Sequence, residues 1–369
     1  MRFTCYKNDL VEALQIVIRS VAVKPMTPIL SGIYLKADDR ALEMQANNFS
    51  TSISLKIPVS TEVGGEVVLG GKRFQEFIRN MPEDTVTFFG QDAANVFSME
   101  SGGARVELLT MPVMDFPKVK VPDTDSSFKV RSTVLKNLIR KTVFAVAKED
   151  EHPVFKGCCF EVDENHLSLV ATNSHRIAIA KELIRESDNR NSFVVPPDTL
   201  RGLMQYFDPN DIDNFVEINY SYRFVTFKFN NIYMTSRLIE GEFPLYDRII
   251  PTDSTTQVEL NKTEFRNAID FVALIAHETE YNTVKFEIVP GQIKISADSP
   301  EVGEASKIID ADVMGDSLEI SFNVDYISEV LRAIDSPRVQ LSLNGRYDPI
   351  LVRERDNLNY SYVVTPVRT

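Results

Sequence analysis

The stretches ALEMQANN at Ala41–Asn48, LSLVATNS at Leu167–Ser174 and IKISADSP at Ile293–Pro300 decide how this chain is organised. Each reads as a strand that ends in a small residue before a polar turn. The alanines Ala46, Ala171 and Ala297 stand 125 and 126 residues apart. Two further patterns keep that spacing. FIRNM (Phe77–Met81), LMQYF (Leu203–Phe207) and VLRAI (Val330–Ile334) put Ile78, Met204 and Leu331 126 and 127 residues apart. Amphipathic stretches opening at Asn8, Ser132 and Asn261 put Leu14, Ile139 and Ile269 125 and 130 apart. Three patterns recurring in one order describe three copies of one unit. The period is too long for a solenoid repeat and suits a whole domain.

A chain of 369 residues, 43% hydrophobic, has material for three separate cores. The expected domains are residues 1–121, 128–250 and 251–369. Each runs strand, helix, several strands, helix, strands. The expected fold class is therefore α+β, with two helices packed on antiparallel sheets in each of three tandem domains and six long amphipathic helices in all. Period-two alternation marks strands at Ile53–Val59, Phe224–Asn230 and Val339–Asn344. Ser132 and Asn261 are expected N-caps, and Asp198 or Thr199 is expected to open a helix after Pro196-Pro197. Gly64-Gly65, Gly70-Gly71 and Gly102-Gly103 are expected hairpin turns. The linkers Met111–Ser127 and Gly241–Thr256 each contain Phe-Pro, at Phe116-Pro117 and Phe243-Pro244, 127 residues apart. Proline restricts itself and the residue before it, so both linkers should be extended and stiff.

Catalytic machinery is absent from the pattern. Ser174 and His175 are neighbours on an extended chain and point apart, so they are no nucleophile–base pair. No phosphate-binding glycine loop occurs. His152, His166, His175 and His277 do not pair at helical spacing, so no metal site and no cofactor is expected. Carboxylates at Asp123–Asp125, Glu149–Glu151 and Glu278–Glu280 read as a solvated surface. Cys5, Cys158 and Cys159 are odd in number and fit buried reduced thiols on strands. With no signal peptide and no membrane-spanning run, a cytoplasmic protein is expected.

The net charge of −13 argues against a conventional DNA-binding domain, whose affinity comes from neutralising phosphates. Its distribution argues otherwise. The expected helices Asp9–Ala22, Lys72–Met81, Ser132–Lys148, Asp198–Phe207, Lys262–Ala276 and Asp325–Ile334 carry −1, +2, +4, 0, 0 and −1. One reading is that helices simply favour Lys and Arg. The other is a mildly basic helical face inside an acidic shell.

TPILSGIYL (Thr27–Leu35), MPVMDFP (Met111–Pro117), VATNSHRIAIA (Val170–Ala180), SRLIEGEFPLYDRIIP (Ser236–Pro251), FNVDYISEVL (Phe322–Leu331) and the terminal YVVTPVR resemble the bacterial sliding clamps, the β subunit of DNA polymerase III. The likeness covers the whole chain. It implies a non-catalytic, head-to-tail homodimeric ring whose helices line a hole. Such a ring encircles double-stranded DNA without reading its sequence and tethers the replicative polymerase as a processivity factor. A weakly basic lining then coexists with an acidic exterior, because the link to DNA is topological. The DNA-facing residues implied are Lys24, Lys72, Arg73, Arg79, Lys136, Arg140, Lys141, Lys148 and Arg201.

The family also carries a pocket for a short hydrophobic peptide, through which DNA polymerase III, the clamp loader, other polymerases and repair proteins dock. The matching positions in the middle domain are Phe155, Thr172, Ser174, His175, Arg176 and Ile177. The linker and third domain add Pro244, Arg248, Ile249, Tyr281, Asn323, Tyr326, Tyr347, Val363, Val364, Pro366, Val367 and Arg368. Ser174, Phe155, Tyr347 and Thr369 depart from the family pattern, which implies a shifted peptide preference. The dimer seam is implied at Arg105, Val106 and Leu108 on one chain and Leu274, Ile275, Glu301 and Glu304 on the next, with Lys72 and Arg73 near it. Two other readings remain open at this point. An enzyme of unrecognised class on a repeated α+β scaffold would need a clustered polar site. A repeated adhesion-type sandwich would call for secretion and disulfides. A stable dimer near twice 41.8 kDa separates the first reading from both.

Overall fold

The computed structural model describes residues 1–91, 95–119, 126–149, 151–184, 191–208, 213–355 and 357–368. The carboxylates Asp123–Asp125, Asp150, the expected domain end at residue 121 and Thr369 lie outside the described residues. Among the described residues there are six α-helices: α1 Lys7–Val17, α2 Gly71–Arg79, α3 Ser132–Thr142, α4 Pro197–Met204, α5 Lys262–Ala276 and α6 Val324–Ala333. All six fall where the repeat puts them, two per copy. α1 to α4 are shorter than expected, whereas α5 keeps its expected bounds and α6 its expected length, shifted by one residue. α3 ends at Thr142 and gives way to a 3₁₀ turn, Val143–Ala145, so Lys148 is not on it. α1 ends at Val17, before a 3₁₀ turn Ile18–Ser20.

The helix ends follow local chemistry. The Asn261 side chain accepts hydrogen bonds from the N–H groups of Thr263 and Glu264, so it is the expected N-cap of α5. Asn323 does the same for α6 through Asp325 N–H, a cap the sequence reading missed. Ser132 is already the first helical residue of α3, not its cap. Pro197 opens α4, where a missing N–H is harmless.

Contacts divide the chain into two compact units, Met1–Thr133 with Gly202–Leu238, and Val134–Arg201 with Ile239–Thr369. The first unit holds a 13-stranded antiparallel sheet. Within it Thr51–Pro58 of the first copy pairs with Ile232–Arg237 of the second, so the sheet runs across the repeat boundary. α1 buries Leu10, Ala13, Leu14 and Val17, a stripe at helical spacing. Its core includes Phe3 stacked on Phe88 at 4.6 Å, with the Phe74 edge of α2 at 6.3 Å from Phe88. Burying each such side chain contributes roughly 1.5–3 kcal/mol.

The second unit holds a nine-stranded and a four-stranded sheet. In the larger one Arg176–Leu183 pairs with Asn357–Val364, again joining one copy to the next. α5 packs on the strands Gln292–Ser299 and Gly303–Asp310 of the smaller sheet and on α6. It buries Phe265, Ala268, Ile269, Val272 and Ala276.

The repeat is legible inside the cores. One cluster holds Ile29, Leu30, Tyr34, Val68 and Phe116. Another, about 126 residues on, holds Val154, Phe155, Cys159, Val194 and Phe243. Phe116 and Phe243 thus pin the two linkers to their own copies.

The glycine pairs divide. Gly102 and Gly103, at φ 53° and 78°, form the tight hairpin turn between Val96–Ser101 and Ala104–Met111. Gly64-Gly65 joins strands that pair with other partners, and Gly70-Gly71 leads from a strand into α2, so neither is a hairpin. The three cysteines are free and buried on strands. Burial pushes the Cys5 and Cys158 thiols up to about 12, so neither is a nucleophile near neutral pH.

Candidate functional site

The sequence-derived peptide positions all belong to the second unit, and the structure separates them into two faces. Along paired strands, successive side chains point to opposite sides. Ile177 lies opposite Val363, and both enter an apolar cluster with Val154, Val170 and Leu351. Phe155, Phe243, Tyr246 and Ile250 pack against that cluster while keeping some exposure. Pro244 and Arg248 are exposed on the same linker, and Ile249 is half exposed at 50%. These residues form an apolar floor beside an accessible rim. The Tyr246 hydroxyl donates to Glu161 at 2.5 Å and ties the linker to the strand Cys158–Asp163. Burial raises the Glu161 carboxyl above its usual range, although the Tyr246 hydrogen bond acts the other way.

Arg176 is on the other face, opposite Val364, and is 7% exposed. Its guanidinium pairs with Glu329, donates to the Phe144 carbonyl at 2.7 Å and lies 4.4 Å over the Tyr326 ring. Burial acts against its charge, but Tyr362 and Glu329 outweigh it and raise the pKa. Arg176 and Val364 therefore brace the α6 side of the sheet and do not line the Ile177 floor, a correction to the expected set. Thr172 is also buried, and its hydroxyl donates to the Arg176 carbonyl at 2.7 Å to close the turn.

The terminal segment is tied down at three points. Thr365 donates to the His175 carbonyl from its N–H at 3.0 Å and from its hydroxyl at 2.9 Å. Val367 N–H donates to the Ser321 carbonyl at 2.8 Å. Ser174, at φ 70°, and His175 are exposed beside this segment. Asn323 links its α6 cap to the Tyr281 carbonyl at 3.0 Å, and Tyr281 is 60% exposed. Tyr347 is exposed in the turn before Ile350–Glu354, under Arg346. Pro366 is half-buried and Val367 likewise, with Arg368 exposed. The aromatic wall of Phe243 and Tyr246 was missed in the sequence. The signal is present in the sequence, since Phe243 repeats Phe116 at the domain period.

The basic positions also divide. Lys24, Lys72, Arg73, Arg79, Lys148 and Arg201 are exposed, and Lys136 is half-buried. Arg201 also pairs with Asp198 at 3.2 Å. Lys141 is contradicted as a DNA-facing residue. It is 3% exposed, forms an ion pair with the buried Glu354 and lies 3.4 Å from Asp335. Arg140 donates to Asp335 at 2.5 Å and to the Ala333 carbonyl at 2.9 Å, which leaves it partly accessible. Asp335 is held below the usual carboxylate range: burial would raise it, but Arg140 and Lys141 prevail.

Arg105, Val106, Leu108 and Glu304 lie on two strands whose edges are open among the described residues, with Leu274 and Ile275 on α5 and Glu301 in a turn. Ala104–Met111 pairs with Val96–Ser101 along one side, while its other side is engaged only at Thr110 and Met111 among the described residues. Leu109 on it is 78% exposed. Val106 and Leu108 are half-buried. Gly303–Asp310 is the outer strand of the four-stranded sheet and carries Glu304. Ile308 on that strand is 53% exposed, and on α5 beside it Leu274 is 72% and Phe271 53% exposed. Ile275 is half-buried and Glu301 exposed. Arg105 is already held in its own sheet by Glu107 at 2.7 Å and Glu100 at 3.2 Å.

Known proteins supply a frame for these surfaces. Models of the DNA polymerase III beta subunit match in three successive parts: its N-terminal domain at residues 1–120, its central domain at 129–245 and its C-terminal domain at 247–368. The beta sliding clamp of Bacillus subtilis is 32% identical over 380 residues, covering all of both chains. That of Staphylococcus aureus is 28% identical with the same coverage. The solved Bacillus subtilis DNA polymerase sliding clamp superposes with a TM-score of 0.95 over 100% of this chain and 99% of that one. The DNA polymerase III subunit beta of Pseudomonas aeruginosa, 26% identical with full coverage of both chains, also superposes at 0.95.

Proposed function

Because the chain belongs to the DNA polymerase III beta subunit family, the bacterial sliding clamps, we propose that two copies close head to tail into a ring around duplex DNA. The protein is a non-catalytic processivity subunit: it keeps a polymerase on its template and performs no chemistry itself. Three tandem clamp domains per chain, with boundaries near 1–121, 128–250 and 251–369, give six around the ring. The observation that carries closure is the pair of open strand edges, each flanked by exposed apolar side chains. An unpaired apolar edge is a hazard in a lone protein and a ready interface for a matching edge. Val106, Leu108 and Leu109 of one copy would meet Leu274, Ile275 and Ile308 of the next. Lys72 and Arg73 would approach Glu301 and Glu304 at the rim.

DNA would pass Lys24, Lys72, Arg73, Arg79, Lys136, Lys148 and Arg201, with Arg140 contributing weakly. Few phosphate contacts are needed, because a closed ring holds DNA by topology. No base-sequence preference is expected. Among the described residues no helix is long and apolar enough to cross a membrane. A cytoplasmic place beside the replication machinery is the setting this reading implies.

Partners would dock by a short hydrophobic peptide on the floor formed by Ile177, Val363, Phe155 and the linker residues Pro244, Arg248 and Ile249. The polymerase, the clamp loader, other polymerases and repair proteins would share this site. One buried Leu or Phe anchor contributes roughly 1.5–3 kcal/mol, so a lone peptide should bind near micromolar. A polymerase held by DNA and ring together gains effective concentration. Deleting Pro366–Thr369 tests this reading. Val364 stays in place because it is strand core, opposite Arg176. A labelled Gln-Leu-x-Leu-Phe peptide should bind the truncated protein at least about tenfold more weakly, with the dimer intact. Unchanged affinity would put the docking site elsewhere.

A further inference from the structure

The first unit contains a cavity of about 400 Å³ whose lining includes Asn47, Phe49, Ser52, Lys118, Thr235 and Arg237. It is the internal counterpart of the Ile177–Val363 floor. Phe49 stands 125 residues before Ser174, and both have φ of 70°. Thr51 pairs with Ser236 as Arg176 pairs with Val364. The Phe-Pro of the first linker borders this cavity through Pro117, and the Phe-Pro of the second packs on the other floor through Phe243.

The shape is repeated, but the chemistry is not. Where the later floor has Ile177 opposite Val363, this one has Ser52 opposite Thr235. Thr226 lies next in the same row and shares a hydroxyl hydrogen bond with Thr235 at 2.9 Å. A leucine set against a row of hydroxyls would gain little, so a purely hydrophobic peptide does not fit. Lys118 is occupied, 2.7 Å from Glu66 and 5.0 Å above the Tyr34 ring. Arg237, where the later site has Thr365, is exposed, and among the described residues its guanidinium has no ion-pair partner. Phe49, 52% exposed, and Phe224 supply the apolar part of the lining.

We propose that this cavity binds a short acidic peptide segment of a partner protein, with an aromatic side chain against Phe49 and Phe224 and a carboxylate on Arg237. Arg offers a carboxylate two parallel hydrogen bonds, and a partly enclosed site strengthens them. A nucleic-acid strand fits less well, because its affinity needs many cations and, among the described residues lining the cavity, Arg237 alone is a cation without an ion pair. The proposal does not depend on the hydrophobic-peptide reading of the second unit. A partner holding both motifs would engage one chain at two chemically distinct places.

The test uses the full chain and a labelled acetyl-Phe-Asp-Asp-Leu-amide. Its binding should weaken at least about tenfold in Arg237→Glu and in Phe49→Ala, and at least about tenfold when both Asp become Asn in the peptide. Arg237→Gln, which keeps a polar side chain, should fall between wild type and Arg237→Glu. The Gln-Leu-x-Leu-Phe peptide should bind all these variants as it binds the parent, which checks their folding and reports on the other site separately. Competition between the two peptides would overturn the proposal. So would indifference of the acidic peptide to Arg237→Glu, no binding at millimolar concentration, or a decathymidylate that displaces it.

Discussion

Leu274→Ala combined with Ile275→Ala should leave the protein sedimenting as a 41.8 kDa monomer at concentrations where the parent is a dimer. Leu274 is 72% exposed on α5, beside the open strand Gly303–Asp310, so the isolated chain holds it in water for no internal reason. Truncating a well-packed Leu or Ile removes about 2 kcal/mol or more. Two at one seam amount to about 4 kcal/mol, on the order of a thousandfold in that contact. Each ring has two seams. High salt alone should not give monomers, since exposed ion pairs contribute only about 0–1 kcal/mol. The double variant should fold, because neither residue belongs to the buried stripe of α5. A parent-like sedimentation coefficient would place the seam elsewhere.

Lys141→Met should destabilise the second unit by about 3 kcal/mol. The Glu354 carboxylate would remain 4% exposed without its cation, and an uncompensated buried charge is strongly unfavourable. Glu354 would keep two hydrogen bonds, from Asp335 N–H at 2.9 Å and Asn357 at 3.1 Å, so the effect belongs at the lower end of the usual range. Adding Glu354→Leu should recover much of the loss, because both charges are then gone. Urea unfolding of the two variants measures both effects. A loss under about 1 kcal/mol for the single variant would show that water reaches Glu354.

The three-fold repeat, the placement of all six helices and the Asn261 cap were legible because they rest on local periodicity and spacing. What escaped depends on direction. Arg140 and Lys141 are adjacent in a basic helix, but one residue turns a helical side chain by about 100°. That rotation takes Lys141 from the accessible face into the core beside Glu354, a partner distant in sequence. Arg176 and Ile177 are neighbours on a strand and so must face opposite ways. That rule was available in the sequence and would have separated them. The open strand edges are a matter of which strands pair, which no single-strand pattern reveals. The cavity at Phe49 and Arg237 was hidden differently: its geometry repeats, while its residues change from apolar to polar.

The most direct test of the account is retention on DNA after loading. The protein should stay on a closed circular duplex through gel filtration in high salt. It should be lost when one cut makes the same DNA linear, whatever the sequence at the cut. Blocking both ends of the linear duplex should restore retention. Equal retention on open linear and circular DNA, or a dependence on base sequence, would contradict a topological ring.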